Sequence, residues 1–172
     1  MMDNLVDVKV YFHSQLVIVG KVPGAPGRRF SDAINADTGE FLTLQEALLS
    51  TVNNEAANMG QGASVQVRKA QIAFMVRGPE KFGEVANRRL VQVPNVKYPV
   101  AFLSFDWLLT GEISLAPDKK VEVSMRVGGA PFIPLARAKA IYLPMQSVNI
   151  EAEFALLRRD AFDSFWPYGI SS

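Results

Sequence analysis

The chain carries one design twice. Val17–Ala47 lies over Leu108–Ala138 without a gap, each position pairing with the one 91 further on. Gly20 meets Gly111, Ala25-Pro26 meets Ala116-Pro117, Phe41 meets Phe132, Leu44 meets Leu135 and Ala47 meets Ala138. Val22 falls on Ile113, and the basic pair Arg28-Arg29 on Lys119-Lys120. A repeat of this kind constrains the fold before any other feature, because two similar segments build two similar units. Near the end of each copy the register blurs. The polar loop Asn53–Ser64 shrinks to Pro144–Ser147, and the last strand aligns in two ways that differ by one residue.

Within each copy the apolar residues keep a period of two. Val6, Val8 and Val10 alternate with Asp7 and Lys9, as in a half-buried strand, and His13-Ser14-Gln15 reads as a hairpin turn. Leu16–Val22 is a second strand interrupted by Gly20, the mark of a bulge or sharp bend. Ser31 or Asp32 caps a short helical turn, and Asp37-Thr38-Gly39 turns the chain into a strand from Phe41 to Val52. Val65–Val67 and Ile72–Val76 complete the first copy. The second copy reads as strands over Val100–Phe105, Leu108–Ser114, Val121–Val127, Phe132–Leu143 and Val148–Leu157, bent at Gly111. Gly128-Gly129 reads as a turn.

The expected fold is therefore all-β: a tandem duplication of a five-stranded small β-barrel, with at most one short linking helix. Residues 1–78 form the first repeat, 79–95 the link with a short helix over Glu80–Arg89, and 96–172 the second repeat with its tail. Phe162, Phe165, Trp166 and Tyr168 crowd that tail. Such aromatics do not stay in water, so they are expected at a protein interface or docked on their own repeat.

The first copy resembles an uncharacterised family of short bacterial β-domains. The resemblance rests on Val17-Ile18-Val19-Gly20, Arg29-Phe30-Ser31-Asp32-Ala33-Ile34-Asn35, Phe41-Leu42-Thr43-Leu44 and Val65–Ile72. That family has no assigned activity and so implies no function. More distantly, both halves resemble the Sm-like small barrel, with a strand ending in a bend glycine, an Asp…Asn pair and a later Arg…Ile. Asp32, Asn35 and Arg68 through Ile72 stand for these, although the Asp–Asn spacing is one residue short and Lys69 replaces the motif glycine. This resemblance implies a uridine-binding pocket at those positions.

Composition excludes several chemistries. Among 172 residues there is no cysteine and one histidine, His13, so disulfides, thiol nucleophiles and multi-histidine metal sites are all ruled out within one chain. His13 itself reads as a surface turn residue. Asp32, Asp37, Glu40 and Glu46 cluster in sequence but lack the oxygen density of a cation loop, and no phosphate-loop glycine pattern occurs. No catalytic residue, metal or cofactor is expected. The net charge of +1 argues against a strongly basic nucleic-acid domain. Basic pairs nonetheless recur at Arg28-Arg29, Arg88-Arg89, Lys119-Lys120 and Arg158-Arg159, either as phosphate contacts or as solvated hairpin tips. The N-terminus, Met1–Asp7, lacks the apolar core of a signal peptide, and no apolar run is long enough to cross a membrane as a helix, so a cytoplasmic protein without membrane insertion is expected.

Apolar residues make up 49% of the chain, which suits either a large core or surface covered by a partner. The expected function is a non-enzymatic structural or interaction module that oligomerises or docks within a larger protein assembly. The alternative is an Sm-like binder of single-stranded RNA or DNA through Arg28, Arg29, Asp32, Asn35, Arg68, Lys119 and Lys120.

Overall fold

The computed structural model describes residues 5–25, 27–78, 95–127 and 129–167. The first half runs β1 (Leu5–Phe12), β2 (Leu16–Pro23), α1 (Phe30–Ala36), β3 (Phe41–Thr51), β4 (Gly60–Arg68), a single 3-10 turn (Lys69–Gln71) and β5 (Ile72–Arg77). The second runs β6 (Val96–Ser104), β7 (Trp107–Leu115), α2 (Val121–Arg126), β8 (Phe132–Tyr142), a 3-10 turn (Leu143–Met145), β9 (Asn149–Arg158) and β10 (Ser164–Pro167). The expected link helix over Glu80–Arg89 lies outside the described residues.

All ten strands join one antiparallel sheet in the order β10-β6-β7-β8-β9-β5-β1-β2-β3-β4. The all-β expectation holds, but two separate closed barrels do not. Each half keeps its five strands contiguous, and the sheet stays open because β9 hydrogen-bonds to β5 of the other half. Each half is nevertheless curled. β4 and β5 lie at opposite sides of the first five strands, about 19 Å apart if flat at about 4.8 Å per strand, yet three residues connect them. At about 3.5 Å per residue that connection reaches only about 14 Å, so the sheet must bend.

The bends sit where the glycines predict. The ladder of β2 with β3 slips between Val19 and Lys21, and that of β7 with β8 between Thr110 and Glu112. Gly20 and Gly111 occupy the two slips. A Cβ on Gly20 would stand 3.1 Å from Gln45 O and 3.4 Å from Ala47 Cα; on Gly111 it would stand 3.1 Å from Ala136 O and 3.5 Å from Ala138 Cα. Glycine is needed there for close approach of backbones, since neither residue has positive φ. The left-handed residue lies on the partner strand instead: Glu46 at φ 50° and Arg137 at φ 49°. Their side chains pair across the slip with Lys21 and Glu112 respectively, the same bridge with its charges exchanged.

Two elements differ from the sequence reading. Val121–Val127 was expected as a strand from the alternation Val-Glu-Val-Ser-Met, but Val121–Arg126 is helical. Its buried residues are Val121 and Met125, four apart, and they occupy the places of Phe30 and Ile34 in α1. The short helical turn expected near Ser31 is α1, and α2 is its counterpart in the second half. In α1 the N-cap position is Arg29 rather than Ser31 or Asp32; Ser31 is buried and Asp32 lies in the first turn, where its charge faces the positive helix end. The fifth strand of the second half is β10, from the aromatic tail, which lies on β6 with Phe165 opposite Phe102.

The ladders also settle the register of the last strands. Leu44 faces Val65 and Leu42 faces Val67, while Leu135 faces Ala155 and Ile133 faces Leu157. Val65 and Val67 thus correspond to Ala155 and Leu157, and Arg68 to Arg158. No helix among the described residues is long and apolar enough to cross a membrane.

Replacing Gly20 or Gly111 by Val should each cost about 1–3 kcal/mol, because the new side chain meets backbone that cannot move aside. Thermal melting of the two variants checks this, and unchanged midpoints would show that the slips have room to spare.

Candidate functional site

Elements of the two halves meet at a short ladder: Phe74 opposite Leu157, Met75 opposite Leu156 and Val76 opposite Ala155. Alternation along these strands sends side chains into two cores. Phe132 and Leu156, from the second half, join the core built by Val8, Val10, Phe30, Ile34, Leu42 and Leu44. Tyr11, Val17, Ala73 and Phe74, from the first half, join the core built by Phe102, Trp107, Leu109 and Leu135. Tyr11 stacks on Phe74 at 4.6 Å between ring centroids, and Trp107 meets Phe74 edge-on at 5.0 Å. Three polar contacts lock the arrangement. The Asn35 side chain donates to Phe132 O at 3.0 Å and accepts from Phe132 N at 2.9 Å. Trp107 Nε1 donates to Phe12 O at 3.0 Å. An Arg158 guanidinium nitrogen donates to Lys69 O at 2.9 Å.

This junction uses one edge of each half and leaves the other edges, β4 and β10, without a neighbouring strand among the described residues, at the two ends of the sheet. An exposed aromatic lies at each end of the sheet. Phe41 lies on β3 beside β4 and is 44% exposed; Trp166 on β10 is 42% exposed. Phe41 is the repeat counterpart of Phe132, which is 1% exposed inside the junction. Around Trp166 the tail is fastened to its own half. Phe162 and Phe165 pack on Phe102 at 5.1 and 6.2 Å, Ser104 Oγ donates to Ala161 O at 2.7 Å, and Phe105 N donates to Asp163 at 3.0 Å. Of the aromatics expected at an interface, Trp166 is open, Phe162 and Phe165 are packed internally, and Tyr168 lies outside the described residues.

The residues of the nucleic-acid alternative serve several separate purposes. Asn35 is committed to the Phe132 backbone, and Arg68 pairs with Glu40 at 3.0 Å while lying 5.6 Å over the Phe41 ring. Asp32 accepts from Ser31 Oγ at 3.4 Å. Arg28, Arg29, Lys119 and Lys120 are exposed ahead of the two short helices. Of the other basic pairs, Arg158-Arg159 is structural: Arg159 donates to the carbonyls of Ser124, Met125 and Ala130, tying down the end of α2. Arg88-Arg89 lies outside the described residues. Sequence reading passed over Trp107 and Phe132 as junction residues; the pairing of Phe132 with Phe41 in the repeat was visible, but not that one is covered and the other bare.

A cavity of about 610 Å³ opens beside the junction between Lys9, Tyr11, Arg77, Glu151, Glu153 and Phe154. Two of its polar groups share one partner: Lys9 pairs with Glu55 at 2.5 Å, and Tyr11 donates to the same carboxylate at 3.4 Å. Burial, reinforced by the Glu55 charge, pushes the Tyr11 phenol well above its ordinary range. A second cavity of about 450 Å³ includes His13, whose ring lies 3.9 Å from that of Phe105. Phe105 holds φ 51°, a conformation rare for a bulky side chain. Burial and the nearby Arg158 charge lower the His13 pKa, against the pull of Asp163 and Asp160. Among the described residues no three His, Asp or Glu side chains gather as metal ligands. Asp37 is held below the usual carboxylate range by the Gly39 N–H and by Lys69, which is a turn-stabilising role.

The chain matches no known family model, no curated protein and no solved structure.

Asn35→Ala should cost about 1–3 kcal/mol, since it strands both the N–H and the C=O of Phe132 in the junction. Denaturant unfolding measures the loss, and a variant within about 0.5 kcal/mol of the parent would show the clamp to be idle. A depressed His13 pKa means the unfolded chain binds the proton first. Stability should therefore fall as pH drops below the ordinary value of 6.5 towards the folded value and level off beneath it. His13→Gln should flatten that slope in melts taken from pH 7.5 to 5; an identical slope would place the dependence elsewhere.

Proposed function

We propose that this protein is a non-enzymatic interaction module that oligomerises or docks within a larger protein assembly through its sheet edges. The observation that carries this reading is the pair of edge strands, β4 and β10, which have no neighbouring strand among the described residues and are each flanked by an exposed aromatic. An edge strand presents unmet N–H and C=O groups, a template for another chain, and natural proteins usually cover or blunt it. Phe41 and Trp166 add apolar contact at those edges, where a peripheral aromatic serves as an anchor.

The finer reading of the fold goes with this proposal. Each half is a copy of one curled five-stranded unit of the small-barrel type. In support, the strand order within each half is the same, the bend glycines sit at matching ladder slips, and left-handed residues stand opposite both. A duplicated unit with an edge at each side is suited to extending a sheet from molecule to molecule.

A photo-reactive amino acid placed at Phe41 or at Trp166 in the cell of origin tests the reading. The expected result is a covalent protein adduct from each site and none from the exposed control site Glu122, which lies on α2. Absence of adducts at both edges would remove the proposal.

A further inference from the structure

The junction inside the chain is heterologous. It joins the β4-type edge of the second half (β9) to the β5-type edge of the first half (β5). The two edges left over are the complementary ones, β4 of the first half and the β5-type strand of the second, β10. We propose that the chain associates with copies of itself head to tail, β10 of one copy adding to β4 of the next in the register that β5 and β9 use within the chain. This deepens the interaction reading above and rests on it.

The register follows from the ladders. Val8 faces Gly20 and Val100 faces Gly111, so β1 and β6 correspond with Val10 in the place of Phe102. Met75 faces Val10 and Phe165 faces Phe102, which puts Phe165, Ser164 and Trp166 in the places of Met75, Phe74 and Val76. On the other edge Val65, Gln66 and Val67 take the places of Ala155, Leu156 and Leu157. The contact between copies therefore pairs Ser164 with Val67, Phe165 with Gln66 and Trp166 with Val65. Pro167 falls beyond these three pairs and does not interrupt them.

The side chains that the junction needs are partly present at the free edges. Phe41 would enter the second-half core of the neighbouring copy as Phe132 enters the first-half core. Trp166 would cover Val65 as Val76 covers Ala155. Arg68, the counterpart of Arg158, stands where it would reach the Arg159 carbonyl of the next copy. Leu103 and Leu108, both half-buried, occupy the places of Tyr11 and Val17, which are fully buried in the junction. Against these, Gln66 replaces Leu156, Ser164 replaces Phe74, and Arg126 replaces the clamp residue Asn35. The contact between copies is accordingly weaker than the internal one and depends on concentration. A heterologous contact repeated from copy to copy closes into a ring when its rotation divides a full turn and otherwise runs on as a filament.

The full chain contains no cysteine, so single thiols report on each edge. Val65→Cys and Ser164→Cys stand diagonally across the inferred ladder, about 7–8 Å apart, within reach of a short bis-maleimide. The inference expects a covalent dimer when the two variants are mixed and almost none from either alone. It also expects a native mass that rises with concentration, and Trp166→Ser weakening association about thirty-fold with melting unchanged. Cross-linking of Val65→Cys to itself would mark a two-fold contact and overturn the inference. So would a full-length chain that stays monomeric at millimolar concentration. In that event adducts of a different protein at Phe41 in the cell would leave the interaction reading standing, whereas no adducts at either edge would remove both.

Discussion

Three residue pairs between β5 and β9 hold the two halves in one sheet, and the rest of the structure depends on what those pairs place side by side. Three ladder pairs are a small share of the backbone hydrogen bonding. Their consequence is in the cores. Each half sends side chains through the junction into the other's interior, Phe132 and Leu156 in one direction, Tyr11 and Phe74 in the other. Aromatic side chains bury about 150–250 Å² each, so the exchange contributes more than the ladder that permits it. Neither half encloses its own apolar residues alone. This is why the sheet is continuous rather than folded into two closed barrels: the edges that would have closed each barrel are used to join them.

A junction made from two different edges has an arithmetic consequence. One copy of each edge is used, and among the described residues one of each remains at the ends of the sheet. The remaining edges are blunted but not covered. β10 is four residues long and ends in a proline, β4 opens with Gly60 and Gly62, and Gln66 is tied to Thr43 by reciprocal hydrogen bonds. These are devices that discourage indiscriminate pairing. The exposed Phe41 and Trp166 provide what a purely defensive edge would lack.

Much of this was legible in the sequence, and the misreadings have physical causes. The repeat, the bend glycines and most of the long strands follow from period-two patterning and turn chemistry. Val121–Met125 was misread because a six-residue helix with Val, Val and Met at alternate positions is indistinguishable by period from a strand. Its alignment with Phe30 and Ile34, four apart, was the better guide. The tail was recognised as aromatic and bound to dock, but not as β10, since Ser-Phe-Trp-Pro carries no alternation of its own. Closed barrels were expected because the pattern shows that a strand is buried without showing which strand buries it. Arg158 and Arg159 read as phosphate contacts or as a solvated hairpin tip, yet both donate to backbone carbonyls, a use that leaves no spacing signature.

What the halves share, and what they do not, bears on where function lies. Backbone features recur faithfully: the ladder slips, Gly20 with Gly111, and left-handed Glu46 with Arg137. Surface chemistry does not. The Lys21–Glu46 bridge returns as Glu112–Arg137 with its charges exchanged, Asp32 is matched by Val123, and Asn35 by Arg126. A ligand pocket present in each unit would need the same polar groups twice, whereas the paired positions preserve curvature and edge geometry and let side-chain polarity invert. The constant part of the five-stranded unit is its bends, and the side chains around them are free to change. Asn35 illustrates the divergence most directly, since its amide grips the main chain of Phe132 and so ties α1 of the first half to β8 of the second, while its counterpart is Arg126.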